Sequence, residues 1–493
     1  MVRVNEGSST FGRNAPSDTE IPLGITEARR RPSRMNDQKL VAAERDIIGE
    51  LFTADEAYKN LAVLCDRFGS RFGGTEGEKG AVEFMAGKFS EYGMDSVTKE
   101  EFHYNGWIRG TANLKTTAPQ ERELKCIALP YTGTADVEGE LLYVGNGTPD
   151  EFELVADKVK GKVVMAAAKS PSWFRRGVHR AEKIGRAVEL GAVGFVWMRA
   201  DPGLLEETGS ARWNMEVEIP CVGVSKEAGE AMLRMGSQGS PVRVRITTQN
   251  TIKPLPSWNV AGEIRGRKKP DEVIIVGAHF DGHDISVGAA DDGAGACVVM
   301  EAARALGRHK ELLDRTVRFI TFPLEEIGLI GSYAYVDAHK RELDKLIFML
   351  NLDGAGRAAP SLGVSLHGKW PELVEPFKAI GKDMKLATTV VNGLSLYSDH
   401  FPFMIQGVPT GGLVNFDAPP TGVRGFGHTA ADTLDKVSRY DLELSALMVA
   451  RLVMRMAAGD VFPKTRRTPL QVKALLDKEG YLEVLRLEKR YPY

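Results

Sequence analysis

The spacing of apolar residues divides the chain into stretches with different patterns. Helical spacing begins near Val41 and covers residues 46–51, 54–68 and 76–92. From residue 126 to residue 248, short apolar runs replace it and predict a β-rich module with one helix over residues 180–190. Ile252–Ser257 contains two prolines and is interpreted as the linker that leaves this module.

After the linker, the pattern alternates between strands and helices. We expect strands at residues 272–278, 316–322, 346–352 and 410–416, and helices at residues 295–306, 331–339, 372–381 and 441–457. This alternation predicts an α/β domain with a mostly parallel sheet. Leu470–Leu476 and Leu482–Leu487 have helical spacing and are expected to form an appendage or a surface for a partner.

Length and changes of pattern together predict four regions. A chain of 493 residues is too long for one ordinary core. The predicted regions are a disordered N-terminal tail (1–40), a main α/β domain (41–118 and 253–462), an inserted β-rich domain (119–252) and a C-terminal helical extension (463–493). The tail is polar, and its basic cluster Arg29–Arg34 is interpreted as solvated.

Composition and charge narrow the classes of partner. The net charge is -2, and 26% of the residues are charged, so the chain has no excess of positive charge that would attract nucleic acid. Peptides or small molecules are therefore the favoured partners. No stretch approaches the roughly 20 apolar residues that span a bilayer, and the N-terminus lacks a signal-peptide core, so we expect a cytoplasmic protein. The four cysteines are scattered and suggest neither disulfides nor a thiolate zinc site.

Acidic residues and histidines follow three of the predicted strands. His279 and Asp281 follow the first, Glu325 and Glu326 follow the second, and Asp353 follows the third. Because ligands gather outside the carboxyl ends of strands in an open α/β sheet, we expect these side chains to meet at one edge.

The residue types at this edge are those that bind catalytic zinc, namely imidazole nitrogens and carboxylate oxygens. Asp291 is suited to bridge two ions, with His279 and Asp353 on one ion and Glu326 and His428 on the other. The chain is therefore predicted to hold two divalent cations. Zinc fits best, and cobalt or manganese would accept the same ligands.

Two further residues are expected to serve the reaction. Asp281 is placed to accept the far ring N–H of His279 and so fix its tautomer. Neighbouring residues at a strand end point in different directions, so Glu326 can bind metal while Glu325 faces a metal-bridged water as general base. Two ions and such a base predict peptide or amide hydrolysis.

Three other polar residues near these motifs have more than one interpretation. For Asp292 and Asp432, a backbone or turn hydrogen bond explains the residue as well as a catalytic role does. For His283 we favour a loop or substrate-pocket role over metal ligation.

Six short motifs carry a resemblance to a known family. They are Val276–Asp281, Gly288–Gly295, Glu325–Ser332, Asn351–Gly354, Ser398–Phe403 and Gly427–Thr429. Together they resemble metallopeptidase family 28, the co-catalytic zinc exopeptidases that include aminopeptidase Y, bacterial leucyl aminopeptidases and carboxypeptidase Q. The resemblance implies a three-layer α/β zinc-exopeptidase domain, the ligand set above and a non-proline cis peptide after Asp291. The inserted module resembles a protease-associated domain and is expected to overhang or border the cleft.

The chain departs from the family pattern at one position. Some relatives carry a tyrosine before the last histidine, where it helps to hold the oxyanion, and this chain has Gly427 there. Tyr397 and His400 are open as replacement donors. Asp399 and His400 are equally open to a structural role at the start of a helix.

Three functions remain to be compared. The leading hypothesis is a two-zinc exopeptidase, an aminopeptidase or dipeptidase that acts on peptides near a free terminus. A glutaminyl-cyclase-like acyltransferase resembles a single-zinc site without the first histidine ligand, and a receptor or scaffold of the same fold loses ligands. The presence of His279 and Asp353 favours the first hypothesis. A homodimer through the C-terminal extension is left open.

Overall fold

The computed structural model describes residues 34–237, 239–356, 363–386, 388–414, 425–459 and 462–493. The predicted tail up to residue 33, with most of its basic cluster, and the last two residues of the strand predicted at 410–416 lie outside the described residues. Within these ranges, no helix is both long and apolar enough to cross a membrane.

Three helices open the described chain: α1 (Arg34–Ala54), α2 (Glu56–Phe68) and α3 (Glu76–Glu91). Helix α1 begins before the predicted boundary, so the assignment of residues 34–40 to a disordered tail is wrong. Leu40 and Ile47 are buried on one face of this helix, while the residues just before Leu40 are polar and hide its periodicity in the sequence. We propose that the main domain begins at Arg34.

The next part of the chain contains a smaller α/β unit between two long strands. Its elements are β1 (Ser96–Ala118), β2 (Arg122–Leu124), β3 (Ile127–Ala128), β4 (Ala135–Tyr143), α4 (Pro149–Glu153), β5 (Val163–Ala167), α5 (Arg180–Glu189), β6 (Gly194–Met198), β7 (Cys221–Val224), α6 (Lys226–Gly236) and β8 (Arg243–Ile264). Strands β4 to β7 lie side by side in parallel, with an apolar cluster on each face. The predicted helix is confirmed as α5, whereas α6, with two glycines among its 11 residues, was missed.

Strands β1 and β8 form an antiparallel ribbon that leads into and out of this unit. Pairing runs from Ser96 opposite Glu263 to Ala118 opposite Arg243. The prediction of a linker at residues 252–257 is therefore wrong, because these residues lie within β8. Over residues 249–259, β8 has a paired neighbour on the β1 side alone, and prolines are tolerated where one edge of a strand is unpaired.

The rest of the main domain and the C-terminus follow. Their elements are β9 (Lys269–His279), α7 (Ala294–Gly307), β10 (Arg315–Phe322), α8 (Ile330–Ala338), β11 (Leu346–Asn351), β12 (Gly363–His367), α9 (Val374–Asp383), β13 (Thr389–Gly393), α10 (His400–Ile405), β14 (Thr410–Val414), α11 (Arg439–Ala458), α12 (Pro469–Lys478) and α13 (Tyr481–Leu487). The strand order is β13-β12-β14-β11-β9-β10-β8. Most neighbours are parallel, and β12–β14 and β8–β10 are the antiparallel pairs within this order.

This sheet is the middle of three layers. Ile274 and Val276 of β9 face one apolar cluster, which also contains residues of α1, α2, α3, α7 and α11. Ile275, between them, faces the opposite cluster with residues of α8 and α10. Alternate residues of a buried strand point to opposite faces, so both sides of β9 must be apolar. The predicted α/β domain with a mostly parallel sheet is confirmed.

The C-terminal residues pack on the chain's own surface, which corrects the prediction of an appendage. Leu476 and Leu485 are buried in one cluster with Phe401 of α10. Beyond α13, Glu488 and Arg490 are also buried, and the Arg490 guanidinium donates to the Leu396 carbonyl at 2.7 Å. The C-terminus is therefore part of the core.

We predict that Phe348→Ala lowers the free energy of unfolding by about 3–5 kcal/mol, because truncation of a buried aromatic leaves a cavity. Phe348 lies on β11 and is fully buried, with ring centroids 5.2 Å from Phe377 and 5.7 Å from Phe462. Urea unfolding of the full chain measures the change. Leu154→Ala is the control, since Leu154 is 80% exposed and should change stability by less than about 0.5 kcal/mol. Equal loss in both variants would contradict the core position of Phe348.

Candidate metal centre

Parallel pairing aligns the carboxyl ends of three central strands. His279 at the end of β9 is opposite Phe322 at the end of β10, and Asn351 at the end of β11 is opposite Gly277. Residues that directly follow these strand ends therefore emerge at one edge. This alignment is why Glu325, which lies far from His279 in sequence, comes within 4.0 Å of it (Oε2 to Nε2).

A first group of donor atoms comes from His279, Asp291 and Asp353, whose potential ligand atoms lie within 4.8 Å of one another. The His279 Nε2 atom lies 3.6 Å from Oδ1 of Asp291. His279 and Asp291 are buried, while Asp353 is exposed. Asp353 is therefore the member of this group that solvent reaches.

A second group comes from His283, Glu326 and His428, which are all buried. Oε2 of Glu326 lies 2.9 Å from Nε2 of His428 and 3.1 Å from Nε2 of His283. His428 Nε2 also lies 3.5 Å from Oδ2 of Asp291. The two oxygens of Asp291 thus face different groups, Oδ1 toward His279 and Oδ2 toward His428.

His283 is where the structure differs most from the sequence interpretation. From the sequence, a loop or substrate-pocket role was favoured for His283 over metal ligation. The structure instead puts the His283 imidazole against Glu326 and His428, within the second donor group. The spacing of His279 and His283 in the sequence could not show this, because the loop that follows β9 has no periodicity from which to infer direction.

Both donor groups have the residue types that bind zinc, and the second group also has donor separations that zinc requires. Donors held about 2.0–2.1 Å from one ion lie roughly 2.9–3.4 Å apart. The separations of 2.9 and 3.1 Å in the second group fall in this interval, and those of 3.5 and 3.6 Å to Asp291 lie just beyond it. Nε2 of His279 is buried and makes no hydrogen bond with the described residues. These residues therefore fit a pair of divalent cations.

The ring orientation of two histidines is set through their Nδ1 atoms. Nδ1 of His279 lies 3.0 Å from the carbonyl oxygen of Asp281, and Nδ1 of His428 lies 3.3 Å from the carbonyl oxygen of Thr208. When Nδ1 carries the ring proton, Nε2 holds the electron pair that can bind a metal ion. The Thr208 N–H also donates to the His428 carbonyl at 2.9 Å. Thr208 belongs to the smaller α/β unit, and nothing in the sequence marked it.

The Asp281 carboxylate acts chiefly on the backbone of the two glutamates. Its oxygens accept the N–H groups of Glu325 at 3.1 Å and Glu326 at 3.3 Å. Oδ1 lies 3.4 Å from Nδ1 of His279, which is closer to the Asp281 carbonyl. The predicted contact between Asp281 and the His279 ring is present, but the carbonyl makes the shorter approach.

Two aspartates hold the loop that carries Asp291. The Asp432 carboxylate accepts the N–H groups of Ala290 at 2.8 Å and Asp291 at 3.1 Å. The Asp292 carboxylate accepts the N–H groups of Gly295 at 3.3 Å and Gly354 at 3.0 Å. The backbone interpretation of both aspartates therefore has direct support. The peptide bond between Asp291 and Asp292 is cis, as the resemblance implied.

The residues considered as oxyanion donors are engaged elsewhere. The Tyr397 hydroxyl donates to Glu488 at 3.0 Å, and Nε2 of His400 lies 3.2 Å from the Ser395 carbonyl. Asp399 accepts the Ser332 hydroxyl at 2.6 Å, directly before α10. These contacts favour the structural interpretation of Asp399 and His400.

Burial and charge shift the two glutamates in opposite directions. Burial raises the pKa of Glu325 well above its usual value; His279 opposes the shift, and the carboxylates of Asp353 and Glu326 add to it. Burial also acts to raise the pKa of Glu326, but His283 and His428 outweigh it and hold that pKa well below its usual value. The edge is thus crowded with carboxylates, and cations are the natural counter-charge.

Comparison with known proteins agrees with this geometry. Residues 259–453 match the model of peptidase family M28, and residues 132–232 match the PA domain model. Aminopeptidase YwaD of Bacillus subtilis (strain 168) is 28% identical over 437 residues, which cover 86% of this chain and 89% of that protein. Carboxypeptidase Q of Xenopus laevis is 28% identical over 371 residues, which cover 73% and 77%.

A solved structure has a similar fold. The crystal structure of BSAP, a zinc aminopeptidase from Bacillus subtilis, superposes with a TM-score of 0.63 at 25% identity, covering 83% of this chain and 97% of BSAP. The two family matches lie in the order that the structure shows, with the PA domain between the first helices and the metal-facing half of the sheet. Residues 259–453 therefore form a peptidase family M28 region, which makes the chain a peptidase, and residues 132–232 form a PA domain inserted before it.

Proposed function

We propose that this peptidase is a two-zinc exopeptidase that cleaves peptide bonds near a free terminus, as an aminopeptidase or dipeptidase. The observation that carries the proposal is the position of the Asp291 carboxylate, with one oxygen toward each donor group. In this proposal, His279 and Asp353 hold one zinc ion, Glu326 and His428 hold the other, and Asp291 bridges them.

Zinc, when bound, polarises the scissile carbonyl and makes water a stronger acid. Glu325 is proposed as the general base that takes a proton from this water and carries it to the leaving amine. Its carboxylate belongs to neither donor group and lies 4.0 Å from His279. The Glu325 N–H donates to the Asp281 carboxylate at 3.1 Å, which fixes the position of the Glu325 backbone beside the donor groups.

The relatives support hydrolysis at a chain terminus. Aminopeptidase YwaD and BSAP are aminopeptidases by name, BSAP is named a zinc enzyme, and Carboxypeptidase Q is named for the opposite terminus. The cyclase-like hypothesis requires a single-zinc site, and the scaffold hypothesis requires lost ligands, whereas the presence of two groups of candidate donors supports a two-metal site. We therefore place the aminopeptidase or dipeptidase first, with zinc as the metal and cobalt or manganese as chemically compatible replacements.

Partners and cellular location are predicted from the sequence alone. Peptides are the proposed substrates. The cytoplasmic location, the lack of nucleic-acid partners and a homodimer through the C-terminal region stay predictions of the sequence. The burial of Leu476 and Leu485 within the chain's own core removes part of the surface that such a dimer would have used.

Replacement of the proposed base tests the function. We predict that Glu325→Gln lowers turnover by about 10²–10⁴-fold, because the general base is lost while the metal donors remain. Initial rates on unblocked, N-blocked and C-blocked dipeptides measure the loss and identify the terminus. Loss of cleavage on N-blocking alone identifies an aminopeptidase, and loss on either block identifies a dipeptidase.

Metal analysis must accompany these rates. Two zinc ions are expected in both the wild type and Glu325→Gln, and Glu83→Gln is the control, because the Glu83 side chain is 69% exposed on α3. Unchanged turnover in Glu325→Gln would rule out Glu325 as the base. Cleavage of doubly blocked peptides at the same rate would rule out an exopeptidase.

Metal removal is expected to affect both activity and stability. Treatment with a chelator should abolish hydrolysis and lower the thermal midpoint, because ions that bind the folded state stabilise it. Zinc restored to 100 times its dissociation constant should return about 2.7 kcal/mol per site. Differential scanning calorimetry and hydrolysis rates after addition of zinc, cobalt or manganese measure the recovery. An apoprotein with unchanged activity and midpoint would contradict the proposed function.

A further inference from the structure

We propose that His283 is an additional protein ligand of the ion held by Glu326 and His428, so that the two metal sites are unequal. This inference rests on the proposed two-zinc function and deepens it. It concerns a residue outside the ligand set that the sequence motifs implied.

The position of the His283 ring carries the proposal. Its Nε2 atom lies 3.1 Å from Oε2 of Glu326, and its ring centroid lies 4.5 Å from that of His428 at an interplanar angle of 79°. The three side chains present one donor atom each within 4.8 Å of one another. The side chain of His283 is 1% exposed, and neither ring nitrogen makes a hydrogen bond with the described residues.

The neighbouring histidine directs its Nε2 atom at the same carboxylate oxygen. Nδ1 of His428 lies 3.3 Å from the Thr208 carbonyl oxygen, and Nε2 lies 2.9 Å from Oε2 of Glu326. When Nδ1 carries the ring proton, Nε2 presents an electron pair to Oε2, and a cation between the two atoms would bind both. The same oxygen faces Nε2 of His283, so one cation can satisfy all three donors.

The loop around His283 is fixed on both sides. The N–H of Gly282 donates to the Ser70 carbonyl at 2.8 Å. The Asp284 carboxylate accepts two N–H groups of the Arg109 guanidinium, at 2.6 and 2.7 Å. Arg109 lies on β1, so this anchor comes from the long ribbon. A ligand between two anchored residues is already oriented before an ion binds.

The extra donor would make the sites chemically different. The first ion would have His279, Asp353 and one oxygen of Asp291, which leaves a position open in a four-coordinate site. The second ion would have His283, Glu326, His428 and the other oxygen of Asp291, which fills four positions. The second site would therefore hold its ion more tightly than the first site.

X-ray absorption spectroscopy of the zinc-loaded wild type tests the inference without relying on activity. With His283 as a ligand, three imidazoles serve two ions, an average of about 1.5 per zinc, against about 1.0 for His279 and His428 alone. The multiple-scattering signal of imidazole reports this average. A value of about 1.0 in a protein that holds two zinc ions would overturn the inference.

Two variants give an independent measure through zinc affinity. His283→Gln and His283→Phe, the second of which keeps an aromatic ring beside Phe72, should weaken one of the two zinc sites at least tenfold and leave the other unchanged. His339→Gln is the control, since His339 is a half-buried histidine that follows α8, lies 3.1 Å from Glu100 through its Nε2 atom and belongs to neither donor group. Competition with a chromophoric chelator measures both affinities.

The outcomes separate this inference from the function on which it rests. Two wild-type zinc affinities that persist in both His283 variants would overturn the ligand role of His283 and leave the two-zinc peptidase intact. Fewer than two zinc ions in the wild type would overturn the proposed function and the inference together. One weakened site in both His283 variants, with the zinc affinities of His339→Gln unchanged and an average of about 1.5 imidazoles per zinc, would support the inference.

Discussion

The carboxylate of Asp291 is the group on which the arrangement of this site depends, because it faces two sets of donors at once. A buried carboxylate between other acids is costly unless its backbone is held and its charge is compensated. Asp432 supplies the first condition through the N–H groups of Ala290 and Asp291. The histidines supply donors for the cations that would compensate the charge of Asp291.

The PA domain contributes directly to this edge. The Thr208 carbonyl orients His428, and Arg109 on the ribbon anchors the loop of His283 through Asp284. His179 of the PA domain also stacks on Tyr397, with ring centroids 4.3 Å apart. The PA domain is therefore tied to the main domain by contacts of its own residues, one of which orients a candidate metal donor.

Sequence periodicity predicted the elements that have a fully apolar or clearly amphipathic pattern. Strands β9, β10 and β11 are buried on both faces, and each was predicted within a few residues. Strand β13 was missed because it lies at the sheet edge and is largely exposed or half-buried. The prolines of β8 were taken as a break in structure, since a sequence does not show that one edge of a strand lacks a neighbour.

The sequence by itself determined the alternation of β9, β10 and β11 with helices and the types of residue at these strand ends, because both depend on local pattern and chemistry. It therefore determined the resemblance to the family and most of the candidate donors. The tertiary structure alone decided which donors face each other, that Thr208 orients His428, and that His283 lies against Glu326. The physical reason is that these contacts join residues far apart in the chain through loops whose direction no local periodicity encodes.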